Sequence, residues 1–110
     1  MWWYSQAHAL LHPNHRFREP FGLAPVEAML CGLPVLSFDY GAMRETVKDP
    51  DTGSLVNSTG EFTKAVDAFY RGNVDGMRVG CRDHAKRFSV ESMVQRYHDL
   101  CVEAVQTGGW

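Results

Sequence analysis

The sequence predicts an α/β fold: a partial Rossmann-like domain with a small parallel sheet of about three strands flanked by helices, and a helical carboxy-terminal half. Three observations carry this prediction. All five prolines, Pro13, Pro20, Pro25, Pro34 and Pro50, fall within the first fifty residues, so the chain has a punctuated first half and a second half free of proline. Short apolar runs in the first half bracket one helical segment. In the second half apolar residues recur at helical spacing.

Each element follows from its residues. Ala9, Leu10 and Leu11, closed by His12 and Pro13, read as a buried strand, as do Val35, Leu36, Ser37 and Phe38 after Pro34. Ser54, Leu55 and Val56 form a third, brief strand. Between the first two, Pro25 fits only a first helical turn, where its missing N–H has no intrahelical acceptor, and Gly32 suits the left-handed position after a last turn. A helix is therefore expected over residues 24–31. Strand, helix and strand in that order make a βαβ unit, which implies parallel pairing through a right-handed crossover.

Further along, Ser58 and Glu61 form a capping box ahead of Phe62, Ala65, Val66 and Phe69, and Gly72 closes that helix. Met77, Cys81, Ala85 and Phe88 mark a second apolar stripe. Met93, Val94, Tyr97, Leu100, Cys101 and Ala104 mark a third, which Ser89 caps. All three stripes are expected in the core, and residues 107–110 are expected to fray.

With 110 residues, 45% hydrophobic and 22% charged, the chain makes a single domain spanning residues 1–110. A chain of this size buries about 65% of the surface its unfolded form exposes, so neither disulfides nor structural metal are needed. Eleven Lys and Arg against thirteen Asp and Glu give a net charge of −2, which excludes the basic excess that nucleic acid demands. Cys31, Cys81 and Cys101 are odd in number and lack CxxC spacing, which argues against a disulfide framework and a zinc site. No apolar run reaches the roughly 18 residues of a membrane span, and Met1, Trp2, Trp3 and Tyr4 do not make a signal peptide. A cytoplasmic protein is expected.

Chemistry concentrates at one place. Glu19 and Glu27 flank a helix start at the carboxyl end of a predicted parallel strand, where open α/β sheets hold ligands. The N–H groups around residues 21–26, Pro25 excepted, lack helical partners, and Gly22 permits close approach to the backbone, so the turn suits an anion such as phosphate. Carboxylates beside it suit paired hydroxyls: two carboxylates match two diols, one on a sugar and one on a ribose. On this chemistry alone, a solvated glutamate favoured by the helix dipole remains the competing reading.

The residues running from Glu19 to Val35, EPFGLAPVEAMLCGLPV, resemble the donor-site motif of retaining glycosyltransferases of the GT-B fold, family 4 (glycosyl transferases group 1). The similarity continues through Asp39, Tyr40, Gly41 and Glu45, then residues 52–56, then Arg87, Phe88, Ser89 and Tyr97. It implies the latter part of a carboxy-terminal, nucleotide-sugar-binding domain, truncated relative to the whole enzyme. Glu19 would be the catalytic-site carboxylate touching donor-sugar hydroxyls. The backbone of Phe21, Gly22 and Leu23 would lie against sugar and diphosphate, and Glu27 would hold the ribose diol. Where the family often has Gly-Gly and a Pro, this chain reads Gly41, Ala42, Met43, Arg44 and Glu45, so Glu45 is carried over only as a subsidiary candidate. The resemblance also implies that the family's basic pair for the diphosphate, the base-reading loop and the acceptor domain would lie upstream of the residues matched here.

The resemblance implies a nucleotide sugar as substrate, no further cofactor and no metal. A different class of reading is a free-standing binding or oligomeric interaction module without catalysis, and a third is a remnant without a selected role. Arg16 and Arg18 either help neutralise a diphosphate or are solvated loop residues. His8, His12 and His15 lack the spacing that converges ligands on a metal. Cys31 reads as a packed small hydrophobe. Trp2, Trp3 and Tyr4 either form a helix docked on the first strand or a surface left bare; a truncated sheet with such a surface predicts a homo-oligomer.

Overall fold

The computed structural model describes residues 2–109 and is an α/β fold with a three-stranded parallel sheet. In chain order it comprises α1 (Trp2–Gln6), β1 (Leu10–His12), α2 (Leu23–Leu30), β2 (Val35–Phe38), α3 (Met43–Thr46), β3 (Gly53–Val56), α4 (Thr59–Arg71), α5 (Met77–Ala85) and α6 (Val90–Thr107), with a 3₁₀ turn at Lys86–Phe88 before α6. The sheet order is β1-β2-β3. Leu10 pairs with Val35 and His12 with Ser37; Val35 pairs with Gly53 and Phe38 with Val56.

β2 is buried along its whole length because helices cover both faces of the sheet. The strand period of two sends Val35 to one face, with Val26 and Met29 of α2 and Cys81 and Ala85 of α5. Leu36 and Phe38 point to the other, where Val56 and the half-buried Phe62, Ala65, Val66 and Phe69 of α4 pack. Phe62 stacks on Phe38 with ring centroids 5.1 Å apart. α4 starts as its capping box demands: Ser58 Oγ accepts from Glu61 N–H at 3.2 Å, and Glu61 Oε2 accepts from Asn57 N–H at 2.8 Å. Ser89 caps α6 by accepting from Ser92 N–H at 3.1 Å.

Two expectations need correction. β1 is an edge strand, hydrogen-bonded on one side only, and Leu11 is 47% exposed, so it is not a buried strand. The second stripe packs as expected: Cys81 and Ala85 are buried with Met77 and Phe88 against them, Phe88 reaching that cluster from the 3₁₀ turn that follows α5. The stripe on α6 is not core: no residue of that helix is buried, and Tyr97 is 66% exposed. Periodicity identifies an apolar face but not its covering partner, and the described residues include none for this one. The short α3 had no periodic signal, since four residues are too few to show one. Trp2 and Trp3 lie in α1, stacked edge to face and exposed. At the carboxy terminus Thr107 ends α6 and Gly108 takes the left-handed cap position; Trp110 lies outside the described residues.

Glycines make the parallel pairing testable. A Cβ at Gly53 would overlap the backbone carbonyl oxygen of Val35 on the neighbouring strand, whereas one at Gly60 in α4 meets open space. Gly53→Ala is expected to lower unfolding free energy by about 2 kcal/mol or more, since backbone cannot step aside. Gly60→Ala should raise it by about 0.5 kcal/mol through the unfolded chain's lost freedom. Urea midpoints of the two variants, moving in opposite directions, are the check.

Candidate functional site

Parallel pairing brings the carboxyl ends of β1 and β2 to the same edge of the sheet, and the segments leaving them meet there. The first segment crosses residues 13–22. Its His15 ring rests on Phe38 with centroids 5.0 Å apart, and Asn14 Oδ1 accepts from Phe17 N–H at 3.3 Å. It ends in a turn in which Glu19 Oε1 accepts from Gly22 N–H at 3.1 Å. Gly22 has φ +89° and caps α2, which begins at Leu23. A side chain at Gly22 would be strained by that φ and would press on the Met43 methyl.

The second segment, residues 39–43, is the platform for this turn. Ala42 N–H donates to the Glu19 carbonyl at 2.9 Å. Gly41, with φ +62°, lies so close that a Cβ there would stand 2.7 Å from the Glu19 carbonyl oxygen and 2.9 Å from its nitrogen. Arg44 grips Asp39 with two N–H groups of one guanidinium edge, Nη2 to Oδ2 at 2.8 Å and Nε to Oδ1. The Arg44 guanidinium holds the Asp39 carboxyl below its ordinary value, so the pair stays charged through mildly acid solution.

The candidate residues fall into two sets. Glu19, Phe21, Gly22 and Leu23 share the turn, and Glu27 lies four residues into α2 with an exposed side chain. Glu19 is half-buried, and among the described residues its Oε2 accepts no hydrogen bond. Gly22 is buried and its N–H is taken, so the accessible parts of the turn are Phe21 and Leu23. Helix geometry leaves the N–H groups of Leu23 and Ala24 without intrahelical acceptors. Glu45 is exposed in the first turn of α3, and Arg16 and Arg18 are exposed in the loop after β1. Among the described residues no group of three His, Cys, Asp or Glu could hold a metal ion. His12 Nε2, at the carboxyl end of β1, is buried without a hydrogen-bond partner among them.

Two features had no local signal. Phe21 meets Phe88 edge to face at 5.6 Å, and Phe88 meets His84 at 5.7 Å. His84 Nε2 lies 3.1 Å from the Thr46 carbonyl and must carry the proton, because a carbonyl only accepts. This chain of contacts ties α5 both to the turn and to α3, across separations of 38 and more residues that no spacing rule reaches. Phe21 and Leu23 also form one wall of an apolar groove of about 490 Å³, completed by Phe88, Met93, Tyr97 and Leu100.

An open parallel sheet with a glutamate-bearing turn and a helix start at its carboxyl edge is the arrangement at which α/β domains of this class hold their ligands. Residues 3–88 match the family described as Glycosyl transferases group 1, and the chain belongs to that family. It is 28% identical over 108 residues to D-inositol 3-phosphate glycosyltransferase of Streptomyces bingchenggensis, covering 94% of this chain and 23% of that protein. The protein of the same description from Gordonia bronchialis is 33% identical over 102 residues, or 86% of this chain and 22% of its own length. Alpha-1,3/1,6-mannosyltransferase alg-2 of Neurospora crassa is 45% identical over 56 residues, 49% of this chain and 12% of that one. The chain thus spans less than a quarter of the length of these relatives. No helix among the described residues is long and apolar enough to cross a membrane.

Burial pushes the His84 imidazole below its ordinary 6.5, helped by the nearby Arg87 and Lys48 charges and opposed by the Thr46 hydrogen bond. The unfolded chain therefore binds a proton that the folded one resists. His84 contributes stability that is complete above pH 6.5 and is lost as pH falls through its depressed folded value. The melting temperature is expected to fall on acidification below 6.5, and His84→Gln, which keeps a donor toward Thr46, should flatten that slope.

Proposed function

We propose that this chain is the nucleotide-sugar-binding part of a retaining glycosyltransferase of the GT-B fold, the latter part of its carboxy-terminal domain. The carrying observation is the Glu19 turn: a carboxylate pre-oriented by Gly22 N–H, with a second oxygen turned to no protein donor, beside the start of α2. Membership of the glycosyl transferases group 1 family supports the donor as ligand. In this reading Glu19 accepts from donor-sugar hydroxyls, and the turn of Phe21, Gly22 and Leu23 lies against sugar and diphosphate. Glu27 holds the ribose diol. Arg16, Arg18 and Glu45 stand at the rim as subsidiary contacts.

Catalysis in such a site is positioning plus electrostatics. The amino end of α2 stabilises charge on the departing diphosphate, and the Glu19 carboxylate holds a sugar whose anomeric carbon is developing oxocarbenium character. The relatives are more than four times longer than the segment they share with this chain, which supports a second, acceptor-binding domain as the partner needed for transfer. The 110-residue chain by itself is expected to bind without transferring: donor turnover by the purified chain above a Glu19→Ala control would refute this.

The two carboxylates have separable work, because Glu27 stands in the helix body while Glu19 precedes the turn. Each lost charge-assisted hydrogen bond is worth about 1.5–3 kcal/mol, or about tenfold or more in affinity. Calorimetric titration of Glu27→Gln should show nucleoside diphosphate and nucleotide sugar weakened alike. Glu19→Gln should weaken only the nucleotide sugar. Equal loss of the bare diphosphate in both variants would make the pair a single electrostatic unit.

A second reading, an interaction module that self-associates, is supported by Trp2 and Trp3, 64% and 78% exposed in α1, and by the unpaired edge of β1. Sedimentation should show an oligomer that Trp3→Ser dissociates; a monomer insensitive to this change removes the reading.

A further inference from the structure

We propose that the Asp39–Arg44 pair is a positioning latch that holds the Glu19 carboxylate in place through the platform of residues 39–43; its bearing on donor sugar rests on the function proposed above. Four observations converge on this role. The pair is bidentate, a geometry that fixes orientation as well as distance. It closes a six-residue loop, Asp39 to Arg44, that begins just after β2 and ends in the first turn of α3. Within that loop Ala42 N–H donates to the Glu19 carbonyl, and Gly41 packs flush on the Glu19 backbone. Met43, next to the latch, covers Gly22, whose N–H orients the Glu19 carboxylate.

Among the described residues no other ion pair touches the two segments of the site. Among the described residues the remaining Lys and Arg pairs, Lys48–Asp51, Arg71–Asp67, Arg78–Asp75 and Lys86–Asp83, are local partners three or four residues apart. Arg44 is 73% exposed while Asp39 is only 17% exposed, so the carboxylate is anchored in the fold and the arginine reaches over to it. An ion pair with so open a partner contributes little to global stability. Its consequence is local: with Arg44 released, residues 39–43 lose the closure that keeps Gly41 and Ala42 against Glu19.

The decisive measurement is amide hydrogen exchange of Ala42 and Gly22 in the full chain, read beside its melting temperature. Arg44→Met and Asp39→Asn should each speed exchange at both amides by about fivefold while the melting temperature stays put. Arg44→Lys, which keeps the charge but not the fork, should recover only part of the protection. The double variant should be no worse than either single one, because both remove the same interaction. Additive effects, or a fall in melting temperature that accounts for the faster exchange, would overturn the latch.

A second arm separates this proposal from the reading it rests on. Titrated with a nucleoside diphosphate and the matching nucleotide sugar, the latch variants should lose about fivefold in preference for the sugar form, with Arg44→Lys between. If Glu19→Gln leaves that preference intact, the role of Glu19 toward sugar falls, while the exchange result still decides the latch. If Glu19→Gln abolishes the preference and the latch variants keep it, the latch does not position that carboxylate.

Discussion

The side-by-side exit of two parallel strands is the constraint on which the site depends. Parallel pairing of β1 and β2 sends both chains off the sheet at the same edge, so residues 19–22 and 39–43 have to share one small volume. Two glycines make that possible: Gly41 without a side chain admits the Glu19 backbone, and Gly22 in the left-handed region turns the chain into α2 beneath Met43. The Ala42 to Glu19 hydrogen bond then satisfies backbone groups that the crossing would otherwise bury unpaired. A carboxylate aimed by its own backbone turn, resting on a neighbouring loop, needs no long side-chain network to be held.

The rest of the molecule supports this edge from below. β2 is buried on both faces, so it is the rigid member from which the platform loop springs. On one face α2 and α5 press together; on the other α4 covers Leu36 and Phe38. Cys81 belongs to that packing rather than to any reaction: burial pushes its thiol up to about 11, far from a nucleophile's range, and its Sγ lies 3.6 Å from the Thr52 carbonyl. The ring sequence Phe21, Phe88 and His84 extends the support to α3, linking the accessible part of the turn to the helix that ends the platform.

One part of the fold stands apart. α6 carries a clear apolar face and a well-formed Ser89 cap, yet buries nothing among the described residues. The match to the family ends at Phe88, just before it. Its face, with Phe21 and Leu23 opposite, forms an open groove adjoining the candidate site. An amphipathic helix is stable in a folded protein chiefly through what covers it, so this face is where the chain is energetically incomplete as it stands.

By itself the sequence determined the α/β class, the parallel pairing implied by a βαβ unit, the place of Pro25 in the first turn of a helix, the caps Ser58 and Ser89 and the segment in which Glu19 and Glu27 lie. All of these follow from neighbours within a few residues, which is the range over which periodicity, capping and proline act. Tertiary structure alone decided that β1 is an edge, that the α6 stripe faces outward, that Gly22 is covered and its N–H taken by Glu19, and that Arg44 closes on Asp39. Asp39 and Arg44 are near in sequence, but five residues is no helical or strand repeat, so nothing in the spacing announces the pair. His84 and Thr46 are 38 residues apart and meet only because α5 and α3 pack on the same side of β2. Local rules specify which face of an element is apolar; which surface meets it is set by the arrangement of elements that are distant in the chain, and the contacts of Gly41, Ala42 and Met43 that back the Glu19 turn belong to that second kind.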